Sequence, residues 1–376
     1  MPEPKQPTYS ILVLINVRWW NATAFYAVNI ARTMKKYGHS VWVGCREDHP
    51  AFEKARALGL DVVPFDFSGF NPFSLIRNLL GMLFFIKQKR IQIINAHRSE
   101  DHAFAVLSKL LTGVRVVLTR GDRRTIRRGF LSSLKYKWCD GAIATCRTII
   151  AKNHHIFSGP GDNTAVVYGS VDEDRFKPVR SAHATRRKYG LDNGRKIVGL
   201  VGRLSPVKDP YTFIRAAARI VGRGNDATFV IAGKEVEITQ AGLMQEIREN
   251  EIQDHIVLLP HVDDIADLMN IFDIGVVTST GSETISRVLL EYMYLKKPVV
   301  GTRVNAIGEI IQPGINGDLI QPGDAEGLAE KIERLLKDPR LCARYGESSF
   351  EIYRKKYSEN GFYRQTLEVL RKAHSG

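Results

Sequence analysis

Ile197-Val-Gly-Leu-Val-Gly-Arg-Leu-Ser-Pro-Val-Lys208 decides the fold, because a short apolar run breaks at a glycine into a polar turn that carries two cations. An apolar run of this length, bounded by turn residues, reads as a strand buried on both faces, as in a parallel sheet covered by helices. Further runs follow at 228–232, 256–259, 274–277, 298–301 and 318–320, separated by helical stretches. The same alternation precedes it at 11–15, 41–43, 91–94, 114–118 and 141–144. The expected fold class is therefore α/β, with two facing Rossmann-like domains in series and a cleft between them. The expected boundaries are 1–172, 173–350 and a closing helical segment 351–376 that packs back on the first domain, with a turn-rich linker around 168–180. Open α/β sheets bind ligands beyond the carboxyl ends of their strands, so chemistry is expected in the cleft.

With 376 residues, 44% of them hydrophobic, the chain is long enough for two cores. Cys45, Cys139, Cys146 and Cys342 are scattered without metal-ligand spacing or a disulfide framework. The start, Met1-Pro-Glu-Pro-Lys-Gln-Pro7, lacks a signal core, and no apolar run approaches the ~20 residues needed to span a bilayer. A cytoplasmic protein is expected, placed by its charge at the inner face of the cytoplasmic membrane. Residues 1–170 carry 24 Lys and Arg against 11 Asp and Glu, and residues 171–376 carry 30 against 29, so nearly all of the +14 excess lies in the first half. One domain alone thus asks for an anionic partner. Nucleic acid has only this charge in its favour and is not expected.

The second half holds the residues suited to chemistry. In Glu283-Thr-Ile-Ser-Arg-Val-Leu-Leu-Glu291 two carboxylates stand eight positions apart across a predicted helix start, about 2.2 turns, so they can reach separate parts of one extended ligand. Amides at Thr284, Ile285 and Ser286 would meet a phosphate there. Arg203 offers a forked set of donors and Lys208 a compact charge, a pairing that suits a diphosphate leaving group. Taken singly, each reads equally well as a solvated surface group.

The ordered set is more specific: Gly202-Arg203 with Lys208, Ile231-Ala-Gly233, Glu283 with Glu291, Lys297-Pro-Val-Val300, Glu309 and Gly323-Asp324. It resembles the retaining nucleotide-sugar glycosyltransferases of group 1, family four, closely over 195–340. The likeness is looser at Lys36-Tyr-Gly-His-Ser-Val41 and Tyr168-Gly-Ser-Val-Asp172. The resemblance implies the GT-B architecture, a UDP-, GDP- or ADP-linked sugar as donor in the second domain, an acceptor in the first, and neither cofactor nor metal. It places Arg203 and Lys208 on the diphosphate, Glu291 on the ribose, and Glu283 as a catalytic residue beside the donor sugar. Gly202, Gly233, Thr284, Ile285 and Ser286 approach the donor, and the loop through Val262 lines the base. The acid pair in Asp172-Glu-Asp174 reads as a linker turn, not a metal site.

The chain departs from the family's pattern at three places. Asn21-Ala22 and Asn305-Ala306 stand where relatives have glycine pairs, and Leu118-Thr-Arg-Gly-Asp122 lacks the histidine expected near the anomeric carbon. His97, His102 and Asp122 are the candidates to replace it. Two other readings stay open: a sugar-nucleotide epimerase of the same fold, and a sugar-nucleotide-binding scaffold without catalysis.

For the acceptor, the segment from Arg120 to Trp138 has seven Lys and Arg, among them Arg123, Arg124, Arg127, Arg128 and Lys135, with one Asp and apolar residues at helical spacing. A basic amphipathic segment of this kind suits an anionic leaflet or a lipid-linked anionic glycan such as a lipopolysaccharide core. The apolar stretch 70–90 is expected to be mostly core.

Overall fold

The computed structural model describes residues 7–67, 71–126, 129–260 and 262–376. They divide into two compact units, Met1–Gly169 with Glu359–Gly376, and Ser170–Ser358. In the first unit a seven-stranded sheet is built from β1 (Ser10–Leu14), β2 (Ser40–Cys45), β3 (Asp61–Pro64), β4 (Ile93–Ala96), β5 (Arg115–Arg120), β6 (Gly141–Ala144) and β7 (Thr164–Val166). The order is β3-β2-β1-β4-β5-β6-β7, parallel throughout. The second unit has six parallel strands, β8 (Lys196–Val201), β9 (Ala227–Ala232), β10 (Ile256–Leu259), β11 (Ile274–Val277), β12 (Val299–Thr302) and β13 (Gly317–Ile320), ordered β10-β9-β8-β11-β12-β13.

The central strands carry the core because side chains on both of their faces meet helices. Ile11 to Leu14, Ile274 and Val276 are fully buried. Close packing reaches the backbone: a side-chain carbon on Gly199 would fall 2.0 Å from the Phe272 ring. The helix Glu359–Ser375 belongs to the first unit, where Tyr363 stacks on Tyr37 at 3.9 Å between ring centres and Glu359 pairs with Arg32 and Lys36.

Two expectations fail on the helices. The segment 120–138 is not one amphipathic helix, since β5 runs to Arg120, residues 121–126 are not helical, and among the described residues the helix spans Phe130–Lys137. Nor is the stretch around 70–90 mostly core. In the helix Pro72–Gln88 only Met82 and Ile86 are fully buried, while Phe73, Ile76, Leu80 and Phe84 are exposed.

Candidate active site

Strand order in the second sheet reverses between β8 and β11, where loops leave neighbouring strands in opposite directions and open a crevice at the carboxyl ends. The loop after β8 runs through 202–209 and that after β11 through 278–286. Hydrogen bonds to the main chain join them: the Thr280 amide donates to the Val207 carbonyl at 2.9 Å, and Thr278 Oγ1 donates to the Lys208 carbonyl at 2.7 Å. This brings the Lys208 ammonium onto Glu283 Oε1, which also accepts from Ser279 Oγ at 3.0 Å.

Glu283 is held from behind as well. Its carbonyl accepts from the Ala306 amide at 2.9 Å, and Thr302 Oγ1 donates to the Ser279 carbonyl at 2.6 Å. Ser282, Ser286, Asn305 and Asp209 all adopt the left-handed backbone region, at φ of 58°, 50°, 41° and 46°. Such conformations are costly for residues other than glycine, and their concentration around one carboxylate marks a place where geometry outweighs local comfort.

The helix that carries Glu291 begins at Arg287, so Glu283 lies in the preceding loop and the two carboxylates do not share a helix face. The residues at its first-turn amides are 287–289, one turn later than the sequence suggested. Thr284, Ile285 and Ser286 are buried in the loop, and Ser286 is the N-cap residue, though its hydroxyl makes no capping bond. Ser286 Oγ is buried without a hydrogen-bond partner among the described residues. Glu291 is buried one turn into the helix, 3.1 Å from Arg287 Nε, and burial pushes its carboxyl above the ordinary range while Arg287 and Lys208 pull it back.

The glycines divide sharply. A side-chain carbon on Gly233 would lie 1.7 Å from the Gly202 carbonyl oxygen, so only glycine lets β8 and β9 end side by side. On Gly202 the same carbon would merely touch the Lys208 stem at 3.5 Å. Arg203 is exposed and has no ion-pair partner among the described residues. Val262 is half-buried, and its neighbour His261 lies outside the described residues.

In the first unit the order reverses between β1 and β4, and again polar groups meet there. Asp101, buried in the helix after β4, accepts from the Asn16 amide at 3.1 Å and from Asn16 Nδ2 at 2.7 Å, locking the loop after β1 to that after β4. Burial pushes its carboxyl up to about 7, against the two bonds from Asn16. His97 Nε2 meets Asn95 Oδ1 at 2.8 Å, Asn95 Nδ2 donates to Thr119 Oγ1 at 2.8 Å, and His97 Nδ1 is buried without a partner among the described residues. Burial, with a smaller push from His102, takes the His97 imidazole down to about 3, so the ring is neutral near neutral pH. His102 packs edge-on to Tyr136 and bonds the Ala96 carbonyl at 3.1 Å, as a core histidine does.

Asp122 turns back to accept from the Arg124 amide at 2.9 Å. Arg123 and Arg124 are exposed, Lys135 is half-buried, and Arg127 and Arg128 lie outside the described residues. The Asn16–Asp101 lock was not singled out from sequence. Its signal was available as polar residues just past the first and fourth strands of a reversing sheet.

The arrangement offers cations on one loop and carboxylates on the next loop and the helix that follows it, as a ligand with a diphosphate and hydroxyl groups requires. The family described as "Glycosyltransferase Family 4" matches residues 23–175, and "Glycosyl transferases group 1" matches residues 181–351. The chain belongs to the group 1 glycosyltransferases. Among its relatives, the N-acetyl-α-D-glucosaminyl L-malate synthase of Bacillus anthracis is 27% identical over 77% of this chain and 78% of that protein. The glycosyltransferase from Rickettsia africae ESF-5 superposes with a TM-score of 0.85 at 19% identity, covering 98% and 99% of the two chains. Anabaena Alr3699/HepE in complex with UDP superposes at 0.82 with 20% identity over 96% and 99%. Both structures share the two-domain GT-B fold with this glycosyltransferase.

Its departures from the family's glycine pairs now have physical form. Asn21 Oδ1 caps the helix Ala22–Lys36 by accepting from the Ala24 amide at 3.0 Å. Asn305 supplies the left-handed turn itself, as asparagine does more readily than most residues.

Proposed function

We propose that this glycosyltransferase moves a hexose or N-acetylhexosamine from a nucleoside diphosphate to an anionic, lipid-linked glycan such as a lipopolysaccharide core, retaining anomeric configuration without a metal. The observation that carries the donor half is the Lys208–Glu283 pair across the β8/β11 reversal, flanked by exposed Arg203 and buried Glu291. Arg203 and Lys208 bind the diphosphate and stabilise the charge that grows on it as the glycosidic bond breaks. Glu283 orients the donor sugar, and Glu291 accepts from the ribose hydroxyls. Backbone at Gly202, Gly233 and the 284–286 loop lets the phosphates approach, and Val262 borders the base. In the first unit His97, neutral and with Nδ1 unpartnered among the described residues, is better suited to contact the reacting sugar than the half-buried Asp122, which turns back to the Arg124 amide.

A UDP-linked donor is taken first because Anabaena Alr3699/HepE, whose fold this chain shares, holds UDP, with an ADP-linked donor as the alternative because starch synthase IV from Arabidopsis thaliana, of the same fold, holds ADP. Isothermal titration with UDP, GDP and ADP, with and without magnesium, tests the reading. Selective metal-independent binding supports it, and no binding by any of the three would sink it. The same protein incubated with donor alone separates transfer from epimerisation, which needs no acceptor.

A second acceptor reading, a small carboxylate, is favoured by the relative whose name joins an N-acetylglucosaminyl group to malate. Malate and a lipid-linked glycan offered side by side distinguish the two.

A further inference from the structure

We infer that the exposed face of the helix Pro72–Gln88, together with the end of the neighbouring helix Ser99–Thr112, is a docking surface for an anionic lipid bilayer. Phe73, Ile76, Leu80 and Phe84 follow at spacings of three, four and four residues, which places them on one helical face. They are 82%, 55%, 60% and 68% exposed, values that belong to unburied surface and not to the rim of a core. The opposite face is the one that packs: Met82 and Ile86 are buried, and Phe85 meets Trp42 and Phe65 edge-on at 6.0 and 5.9 Å. Leu107, Leu110 and Leu111, 38%, 57% and 57% exposed, add further apolar surface on the helix Ser99–Thr112, which packs against this one. An exposed apolar stripe of this kind marks an interaction site.

Charge selects the occupant. No Asp or Glu occurs between Asp66 and Glu100, while Arg77, Lys87, Lys89 and Arg90 are all exposed beside or just beyond the stripe. A second copy of the chain meeting this face across a two-fold axis would set these like charges against one another. An anionic leaflet satisfies both features at once, taking the apolar side chains at the acyl boundary and the cations among the headgroups. The segment after β5 is less suited, because it lacks a continuous helix and Lys135 is drawn half inside. The consequence for catalysis rests on the lipid-linked acceptor proposed above, whereas the docking is measurable without donor or acceptor.

The test is co-sedimentation of the full-length protein with vesicles of phosphatidylcholine alone and of phosphatidylcholine mixed with phosphatidylglycerol. Binding to the mixed vesicles, weakened by added salt, is expected. Phe73→Ser with Phe84→Ser should lower it about tenfold or more, given the transfer free energy of two aromatic side chains. Lys87→Gln with Arg90→Gln should bring it toward the level on neutral vesicles. Unchanged far-UV circular dichroism and unchanged UDP titration show that these surface variants fold and retain the donor site. Failure of the wild-type protein to bind either vesicle would overturn the proposal. So would loss of binding on Arg123→Gln with Arg124→Gln while the Phe73/Phe84 variant still bound, which would move the face to the loop after β5. A concentration-dependent dimer abolished by the Phe73/Phe84 variant, without vesicle binding, would assign the face to self-association instead.

Discussion

Lys208 and Glu283 form an ion pair that joins the loops leaving β8 and β11, and Glu283 Oε1 accepts from Ser279 as well as from the ammonium. The side chains retain 23% and 10% exposure, so the pair borders solvent and can be approached. On the proposed reading, a diphosphate arriving there would compete with Glu283 for the ammonium and free the carboxylate for the sugar. Lys208→Ala should weaken UDP binding about tenfold to a hundredfold, the range for a lost hydrogen bond to a charged group. Lys208→Arg should restore part of it, and titration calorimetry reads both.

Glu283→Gln should reduce turnover more than donor binding, because the proposed contact is with the sugar and not with the nucleotide. Steady-state kcat measured beside UDP affinity separates the effects. A variant whose kcat is unchanged would remove Glu283 from the site.

Glu291→Ala should weaken binding of UDP, by loss of the proposed ribose contact, and change stability only modestly, because removing a buried carboxyl relieves its desolvation cost while leaving a small cavity. Burial already disfavours the charged carboxylate, so Glu291→Gln should be the milder change. Equal losses in Glu291→Gln and Glu291→Ala would mean that the negative charge itself is required.

Gly233→Ala places a methyl group 1.7 Å from the Gly202 carbonyl, a clash between two backbones that cannot be relieved by a rotamer. It should destabilise the protein by about 1–3 kcal/mol and displace the Arg203 turn, lowering both the thermal midpoint and UDP affinity. Gly202→Ala meets only a flexible lysine stem and should be the tolerated control for folding.

Burial holds the imidazoles of His97 and His102 down to about 3. Their ordinary value is near 6.5, so between these limits the unfolded chain binds more protons than the folded one. The stability they contribute is therefore complete above about pH 6.5 and falls by roughly 1.4 kcal/mol per pH unit per histidine on acidification. Asp101, pushed up to about 7, acts in the opposite sense: its contribution is complete below about pH 4 and is lost as pH rises through 7. His102→Gln should thus flatten the pH dependence of urea stability between about pH 4 and 6.5. A difference between wild type and variant that did not change with pH would contradict the buried neutral ring.

The strands were mostly legible as short apolar runs, with two exceptions. β3 is four residues of an edge ending in Pro64, and β7 is three half-buried residues, so neither shows the continuous apolar run of a central strand. In the site, Lys208, Glu283 and Glu291 were legible as residues with a spacing, but their relation was not. The helix start moved to Arg287 because the left-handed residues at Ser282 and Ser286 keep the preceding loop irregular, a preference that sequence propensities for serine do not show.

By itself the sequence determined two parallel α/β units and an uneven charge, because central strands must be apolar on both faces and because charge is additive along a chain. Only the tertiary structure decided which polar groups meet at the two strand-order reversals, Lys208 with Glu283 and Asn16 with Asp101, since those contacts join residues 75 and 85 positions apart. It also decided that Phe73, Ile76, Leu80 and Phe84 stay in solvent. An apolar side chain carries its preference for burial in the sequence, but whether a neighbour covers it depends on which face of its helix the rest of the fold has already used.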